Sequence, residues 1–291
     1  MPERSQLPAC PVCKHGESSK GPRQFRRCTS CGLLFSDMRP ADSAWYQKSW
    51  MYNGRPTLEP LSLEAILRTW AWREFLSASA AAGKGALLDV ACGEGHFLHA
   101  ARSLGFKVEG VDINPRSVAT ARGVYGLDVA CLDLAVYLND CRKSHRTFDY
   151  VTAFEILEHV ADPVGVLRSL ASVGSAVALS VPSAERRPAL FGRGIDAAPH
   201  HLTLWTKEAL LRALGAAGLT PIYLSGEPYA PKHLAMHLSC LVGGSYPLQR
   251  YARALARRVG YGLGRFMRGD DSAPFTLFAL AKTNSDGRRQ T

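Results

Sequence analysis

The 291-residue sequence has no long hydrophobic run. No uninterrupted apolar stretch reaches the length of about 18 residues that a membrane-spanning helix requires. Residues 1–6 are mostly polar and lack the apolar stretch of a secretory signal. From these absences we expect no transmembrane helix and a cytoplasmic location.

Acidic residues are in the minority, and one long stretch has none. The chain carries 35 Lys and Arg against 25 Asp and Glu, which gives a formal net charge of +10. No Asp or Glu occurs between Pro228 and Gly269, and residues 246–268 combine six arginines with apolar residues near helical spacing. This pattern predicts a basic amphipathic segment that binds an anionic ligand or contacts the inner membrane surface peripherally. An ordinary surface helix is the alternative, and glycines in the segment weaken any helix there.

Cysteine is well represented, and half of the eight cysteines form a pattern near the N-terminus. Two Cys-x-x-Cys pairs are separated by fourteen residues, and they consist of Cys10, Cys13, Cys28 and Cys31. In a reducing compartment this spacing predicts a four-cysteine zinc ribbon rather than two disulfides. Basic residues around the pairs leave two roles open, a structural cap, which we favour, and a docking module for RNA.

A glycine-containing loop separates two apolar runs in the middle of the chain. The first run ends near Asp89, the loop contains Gly93 and Gly95, and the second run ends in Asp112. This order predicts a strand, a tight turn and a helix, followed by a second strand whose terminal acid accepts the hydrogen bonds of a ribose diol. Leu98 stands where a dinucleotide-binding loop has its third glycine, which disfavours a nicotinamide dehydrogenase.

The loop from Asp89 to Gly95 resembles motif I of the class I S-adenosylmethionine-dependent methyltransferases, with Ala91 where that family often has glycine. The resemblance implies that S-adenosyl-L-methionine is the cofactor and that Asp112 binds its ribose. It also implies that Asp133 holds the adenine amine, although Asp133 equally suits the N-cap of the next helix. The cofactor-binding residues expected on this basis are Asp89, Ala91, Gly93, Gly95, Asp112, Ile113, Asp133 and Glu155.

Two later segments extend the resemblance to about residues 62–283. Residues 155–160 read Glu-x-x-Glu-His-Val, and residues 200–206 read His-His-Leu-Thr-Leu-Trp-Thr. Both are similar to methyltransferases related to the ubiquinone-pathway O-methyltransferases. An oxygen nucleophile must lose a proton, and histidine is the usual acceptor near neutral pH. Among His159, His200 and His201 we expect His201 first, and His159 second, as the catalytic base.

Ser62 as a cap and the apolar spacing that follows it predict a helix from about Ser62 to Ala82. Apolar runs alternate with helical patterns after residue 86, which predicts an open, mostly parallel sheet with helices on both faces. The resemblance implies an α/β, Rossmann-like methyltransferase fold with seven strands in the order 3-2-1-4-5-7-6. The predicted units are a zinc ribbon (1–36), an aromatic and proline-containing connector (37–61), a methyltransferase domain (62–283) with a basic insertion (227–273), and a flexible tail (284–291).

The expected activity is methyl transfer from S-adenosyl-L-methionine to a small-molecule, glycan or lipid-linked acceptor, most simply at oxygen. The arginine-rich insertion favours an anionic acceptor. Three alternatives remain open, namely an RNA methyltransferase docked through the ribbon, a sugar C-methyltransferase and a non-catalytic cofactor-binding protein. The Asn/Asp-Pro-Pro-aromatic motif of amino-group methylation is absent from the sequence, which counts against the RNA alternative.

Overall fold

The computed structural model describes residues 8–22, 24–41, 59–186, 198–228 and 274–284, with the isolated positions 230, 232, 233, 255, 258 and 259. Within these residues no helix has both the length and the hydropathy needed to span a membrane. Most of the predicted connector and nearly all of the predicted basic segment at 246–268 lie outside the described residues.

In this described part of the chain, eleven strands form two sheets. In chain order they are β1 (Ser18–Lys20), β2 (Arg26–Cys28), β3 (Leu34–Phe35), β4 (Ala86–Val90), β5 (Lys107–Asp112), β6 (Val129–Cys131), β7 (Phe148–Phe154), β8 (Gly174–Pro182), β9 (Thr203–Leu204), β10 (Leu219–Gly226) and β11 (Thr276–Thr283). The larger sheet has seven strands in the order β10-β11-β8-β7-β4-β5-β6. Strand β11 runs antiparallel to both of its neighbours, whereas the strands from β8 to β6 are parallel. Counted within this sheet alone, the order is 3-2-1-4-5-7-6, so the predicted topology is confirmed.

The connections between parallel strands are helical, as parallel pairing requires. Within the continuous described ranges the helices are Leu63–Ile66, Trp70–Ser79, His96–Ser103, Pro115–Tyr125, Leu134–Lys143, Pro163–Ala171 and Lys207–Ala216, with a short 3₁₀ turn at Leu157–His159. Asn114 begins one of them by accepting backbone N–H bonds, and proline follows it at the first helical position. The predicted helix near Ser62 does begin there, but it ends at Ile66 and a second helix starts at Trp70.

Both faces of the large sheet are covered by apolar side chains. On one face the rings of Phe75, Phe97, Phe106 and Tyr150 contact each other edge to face or tilted, at centroid distances of 5.5–5.9 Å. The other face shares its core with the N-terminal ribbon, whose buried cysteines belong to the same cluster as the fully buried Trp205. The ribbon is therefore packed into the α/β domain.

The smaller sheet joins the ribbon to the α/β domain. Its order is β1-β2-β3-β9, so the last strand is supplied by the α/β domain. Leu34 pairs with Leu204 and Phe35 with Thr203 in antiparallel register. The backbone N–H of Ser36 continues the ladder by donating to the Leu202 carbonyl at 2.9 Å.

Candidate functional site

The glycine loop follows β4 and ends where the helix His96–Ser103 begins. Ala91, Gly93 and Gly95 all have positive φ, at 52°, 56° and 79°. A Cβ on Gly95 would lie 2.6 Å from the side chain of Leu127, so packing as well as φ requires glycine there. A Cβ on Gly93 would meet no described atom within 4 Å. The backbone at Gly93 therefore faces open space, as a ligand-binding loop must.

Asp112 ends β5 and connects two turns of the site. Its Oδ2 accepts a hydrogen bond from the Gly93 backbone N–H at 2.8 Å, and its Oδ1 accepts one from the Asn114 N–H at 2.7 Å. Burial raises the pKa of this carboxyl, while the two backbone donors oppose the shift. Each oxygen retains a further lone pair for a ligand hydroxyl. Ile113 beside it is 40% exposed, and it offers an apolar surface at the same edge of the sheet.

Asp89 lies in β4, one strand away from Asp112. Its side chain is 4% exposed, and Oδ1 accepts a hydrogen bond from the Thr152 hydroxyl at 2.6 Å. Burial raises the pKa of Asp89 to about 7; the Thr152 hydrogen bond opposes that shift and the negative charge of Asp112 adds to it. A buried acid in this state is stabilised in its charged form by a nearby cation.

Two further expected cofactor contacts stand at the same carboxyl edge. Asp133 follows β6 and accepts hydrogen bonds from the N–H groups of Ala135 and Val136, so it caps the helix Leu134–Lys143. Glu155 follows β7 with φ of 54°, is exposed, and accepts a hydrogen bond from the Ser180 hydroxyl at 2.7 Å. The cap role of Asp133 is therefore formed, and an adenine contact for Asp133 stays a prediction.

Three histidines form a cluster beyond Glu155. The ring centroids of His159, His200 and His201 are 4.5–4.9 Å apart. His159 Nδ1 lies 2.6 Å from the His200 carbonyl oxygen, so Nδ1 carries the proton and donates it in this bond. Burial, followed by the charges of His201 and His200, lowers the pKa of His159 to about 3. The structure thus brings together the two base candidates, and it keeps His159 neutral near pH 7.

Glu158 lies beneath the histidine cluster and was not singled out from the sequence. It is fully buried, and its Oε1 lies 3.8 Å from His159 Nε2 and 3.9 Å from His201 Nε2. Neither carboxylate oxygen has a hydrogen-bond partner within the described part of the chain. Burial raises the pKa of Glu158 well above its ordinary value, and the neighbouring Glu155 adds to the shift. Its place in the Glu-x-x-Glu-His-Val pattern was the available signal.

The four N-terminal cysteines form a second site, within the ribbon. Cys10 Sγ lies 3.7 Å from Cys31 Sγ, and Cys13 Sγ lies 3.5 Å from Cys28 Sγ. All four sulfur atoms lie within 4.8 Å of one another. Zn–S bonds of about 2.3 Å in a tetrahedron place sulfur atoms about 3.8 Å apart. The donor set and its spacing therefore fit a zinc ion. The ring nitrogens of the three histidines also lie within 4.8 Å of one another, close enough to hold a divalent ion.

Comparison with known proteins assigns the fold and motifs to a family. Residues 64–224, more than half of the chain, match a family described as a methyltransferase domain. The chain belongs to the class I S-adenosylmethionine-dependent methyltransferases. It is 32% identical over 175 residues to the ubiquinone biosynthesis O-methyltransferase of Xanthomonas axonopodis pv. citri (strain 306), an alignment that covers 54% of this chain and 72% of that protein.

Solved structures of other proteins share the fold of this methyltransferase. A SAM-dependent methyltransferase from Archaeoglobus fulgidus is 21% identical, with a TM-score of 0.52 over 76% of this chain and 95% of that one. The plantazolicin methyltransferase BamL, solved with a triazolic desmethylPZN analog and SAH, is 13% identical, with a TM-score of 0.51 over 84% of this chain and 94% of that one. At these identities the likeness concerns the fold alone.

Proposed function

We propose that this methyltransferase transfers the methyl group of S-adenosyl-L-methionine to an oxygen atom of a small-molecule, glycan or lipid-linked acceptor. The observation that supports this most directly is the meeting of an acid-lined glycine loop and a histidine cluster at one edge of the parallel sheet. Ligands of open α/β sheets bind at the carboxyl ends of the strands. The O-methyltransferase named in the comparison supports oxygen as the accepting atom.

The residues that would hold the cofactor surround the glycine loop. Asp112 would accept the ribose hydroxyls while it remains bonded to Gly93 and Asn114. Asp89, Ala91, Gly93 and Gly95 would face the methionine part, where the ammonium and sulfonium charges suit a buried acid such as Asp89. The remaining proposed contacts are Ile113 and Asp133 on the adenosine side and Glu155 near the methionine end.

The cofactor supplies an activated methyl group on a positively charged sulfur. This chain must then hold the acceptor in line with that methyl group and receive the proton of the attacking hydroxyl. The methyl–sulfur bond breaks as the oxygen–methyl bond forms, and the sulfur leaves uncharged with the bonding pair. We propose His201 as the proton acceptor, with His159 second because burial lowers the pKa of His159 to about 3.

The acceptor class rests on charge and on the packing of the ribbon. A net charge of +10 favours an anionic acceptor. The ribbon shares a sheet and a core with the α/β domain, which supports a structural role for it over docking of RNA. We place the enzyme in the cytoplasm, where reduced thiols can hold the zinc ion. Methylation of RNA, or of a sugar carbon, is the outcome that would replace this proposal.

The test is transfer of tritiated methyl from S-adenosyl-L-methionine into an extract of host cells, followed by fractionation. Asp112→Ala and His201→Ala would be compared with Asp140→Asn, which alters an exposed acid on the helix Leu134–Lys143. We expect label in a small-molecule, lipid or glycan fraction with the control variant, and none with Asp112→Ala. Label that ribonuclease removes, or label that stays on carbon when hydriodic acid cleaves methyl ethers, would overturn the assignment.

A further inference from the structure

The ribbon and the histidine cluster are connected through one short strand. Strand β9 lies two residues after His201, and it pairs with β3 of the ribbon. Three consecutive residues, 202–204, are paired with the ribbon. The Ser36 N–H donates to the Leu202 carbonyl at 2.9 Å, and Thr203 and Leu204 form the two β-pairs with β3. A two-residue strand has no stability of its own, so β9 needs its neighbours. On one side it pairs with β3, and just past its end Trp205 exchanges backbone hydrogen bonds with Pro182 and Ala184 at 2.9 and 2.7 Å. The ribbon therefore supplies one of the two supports of this segment.

The second cysteine knuckle is fitted against the residues that follow β9. The Thr206 hydroxyl donates to the Cys31 carbonyl at 2.7 Å, and it also accepts the N–H of Ala209 as the N-cap of the next helix. Arg212 on that helix donates to the Ser30 hydroxyl at 2.9 Å. The position of the knuckle therefore sets the position of the chain on the C-terminal side of the histidine pair.

On its other side the same segment contacts the site. The Leu202 N–H donates to the Glu158 carbonyl at 2.6 Å, and the His200 carbonyl accepts the bond from His159. Ring contacts of 4.5 and 4.9 Å then place His200 and His201 against His159. The segment 200–206 is thus held between the ribbon and the turn that follows β7.

We propose that the four-cysteine ribbon is a positioning module for the histidine segment, and that zinc bound by Cys10, Cys13, Cys28 and Cys31 keeps His200 and His201 in the catalytic geometry. The ribbon has few core residues of its own, so bound zinc supplies folding energy that the core shared with the α/β domain does not. Without zinc the Cys28–Cys31 knuckle relaxes and β3 no longer holds β9. The segment that carries His200 and His201 then loses its partner strand in the ribbon. The catalytic consequence rests on the function proposed above, whereas the structural coupling does not.

The experiment is hydrogen exchange of the full-length protein followed by mass spectrometry. In Cys31→Ser, we expect peptides spanning 198–206 to exchange about tenfold faster, because they lose their partner strand. Peptides spanning 86–98, which contain the glycine loop, should keep their exchange rates, and cofactor affinity should stay unchanged. A cysteine variant is preferred to a chelator because a chelator would also remove any ion held by the three histidines.

Two further variants separate coupling from general damage. Thr206→Val removes the hydroxyl that links the knuckle to the segment and also caps the helix Lys207–Ala216, whereas Thr206→Ser retains both bonds. Only the valine variant should release 198–206, and the helix beyond its first turn should stay protected if the effect comes from the lost link to the knuckle. Arg26→Ala breaks the bond from Arg26 to Ser18 between β1 and β2, away from β9, and should leave 198–206 protected. A released ribbon with 198–206 still protected would overturn the proposal. Equal release of 86–98 would also overturn it, because the ribbon would then support the whole fold.

An activity measurement completes the design and has its own outcome. Where Cys31→Ser releases 198–206, we expect the rate of methyl transfer to fall with little change in cofactor affinity. Normal transfer by a protein whose segment 198–206 is released would show that the ribbon does not position the catalytic histidines. If the wild-type protein transfers no methyl group at all, the proposed function fails, and the exchange data still test the structural coupling.

Discussion

Thr152 donates a hydrogen bond of 2.6 Å to Asp89, across the adjacent parallel strands β7 and β4. The bond partly stabilises the charged carboxylate, yet burial still raises the pKa of Asp89 to about 7. Without a cation nearby, both the protonated and the charged form of Asp89 are therefore populated at neutral pH. A cofactor with ammonium and sulfonium groups changes that balance towards the charged form.

Cofactor binding should consequently release a proton near neutral pH. We expect affinity for S-adenosyl-L-methionine to rise with pH up to about 7 and to level off above it, since Asp89 is then already charged. Calorimetric titrations at pH 6.5 in two buffers of different ionisation enthalpy would measure the proton release. Asp89→Asn should bind more weakly and release less, and equal release by both proteins would assign the proton to another group.

The same group makes a signed prediction for stability without cofactor. An acid whose pKa rises from 3.8 to about 7 on folding leaves the folded state with more bound protons, so stability falls as pH rises between these values. Its contribution is at most about 4 kcal/mol, from 1.36 kcal/mol per pKa unit. Urea unfolding at pH 5 and pH 7.5 should show a smaller loss for Asp89→Asn than for the wild type. An equal loss of unfolding free energy between the two pH values in both proteins would rule out Asp89 as the group responsible.

The two glycines of the loop should respond differently to alanine. A Cβ on Gly95 would lie 2.6 Å from Leu127 and 3.0 Å from Ala121, at φ of 79°, so Gly95→Ala should destabilise the protein by about 2–4 kcal/mol. Gly93 has φ of 56° but open space around its Cβ, so Gly93→Ala should cost about 1 kcal/mol. Its larger effect should be on cofactor affinity, because the methyl group would enter the cleft. Urea denaturation and titration with S-adenosyl-L-methionine would test this contrast in both variants. Equal losses of cofactor affinity in the two variants would contradict it.

Zinc content gives an independent check of the four-cysteine site. We expect one zinc ion per chain after gel filtration, lost in Cys10→Ser and retained in Cys131→Ser, which alters an exposed cysteine of the α/β domain. Elemental analysis measures it directly. If a preparation free of zinc still shows a ribbon protected from hydrogen exchange, the ribbon folds without the metal.

The sequence predicted those parts of the structure that local patterns determine. Asp89, the glycine pair and Asp112 follow each other along the chain, so a single strand–turn–helix–strand pattern sufficed to place them on one edge of the sheet. The strand order followed from the family resemblance and is confirmed.

Other features depend on contacts between distant parts of the chain. Strand β9 has two residues and exists through pairing with β3, about 170 positions earlier, so no periodicity marks it. Glu158 is buried and lies 3.9 Å from His201, a residue of a later segment of the chain, so its neighbours are also set by tertiary packing. The predicted helix near Ser62 breaks after Ile66 although its apolar spacing continues. The roles of His201 and the cysteines stay predictions.

His159 and His201 offer a matched pair for testing the catalytic base. His159 Nδ1 is engaged with the His200 carbonyl, and burial lowers the pKa of His159 to about 3, so it is a poor acceptor near pH 7. His159→Asn keeps an N–H donor near that carbonyl, and it should reduce the methyl transfer rate less than His201→Asn. For His201→Asn we expect a fall of about 10²- to 10⁴-fold at unchanged cofactor affinity, as for loss of a general base.

Single-turnover kinetics with saturating cofactor would separate the rate of methyl transfer from cofactor binding. A larger fall for His159→Asn would reverse the order of the two residues, and unchanged rates in both variants would mean that the acceptor proton leaves by a route outside the histidine cluster.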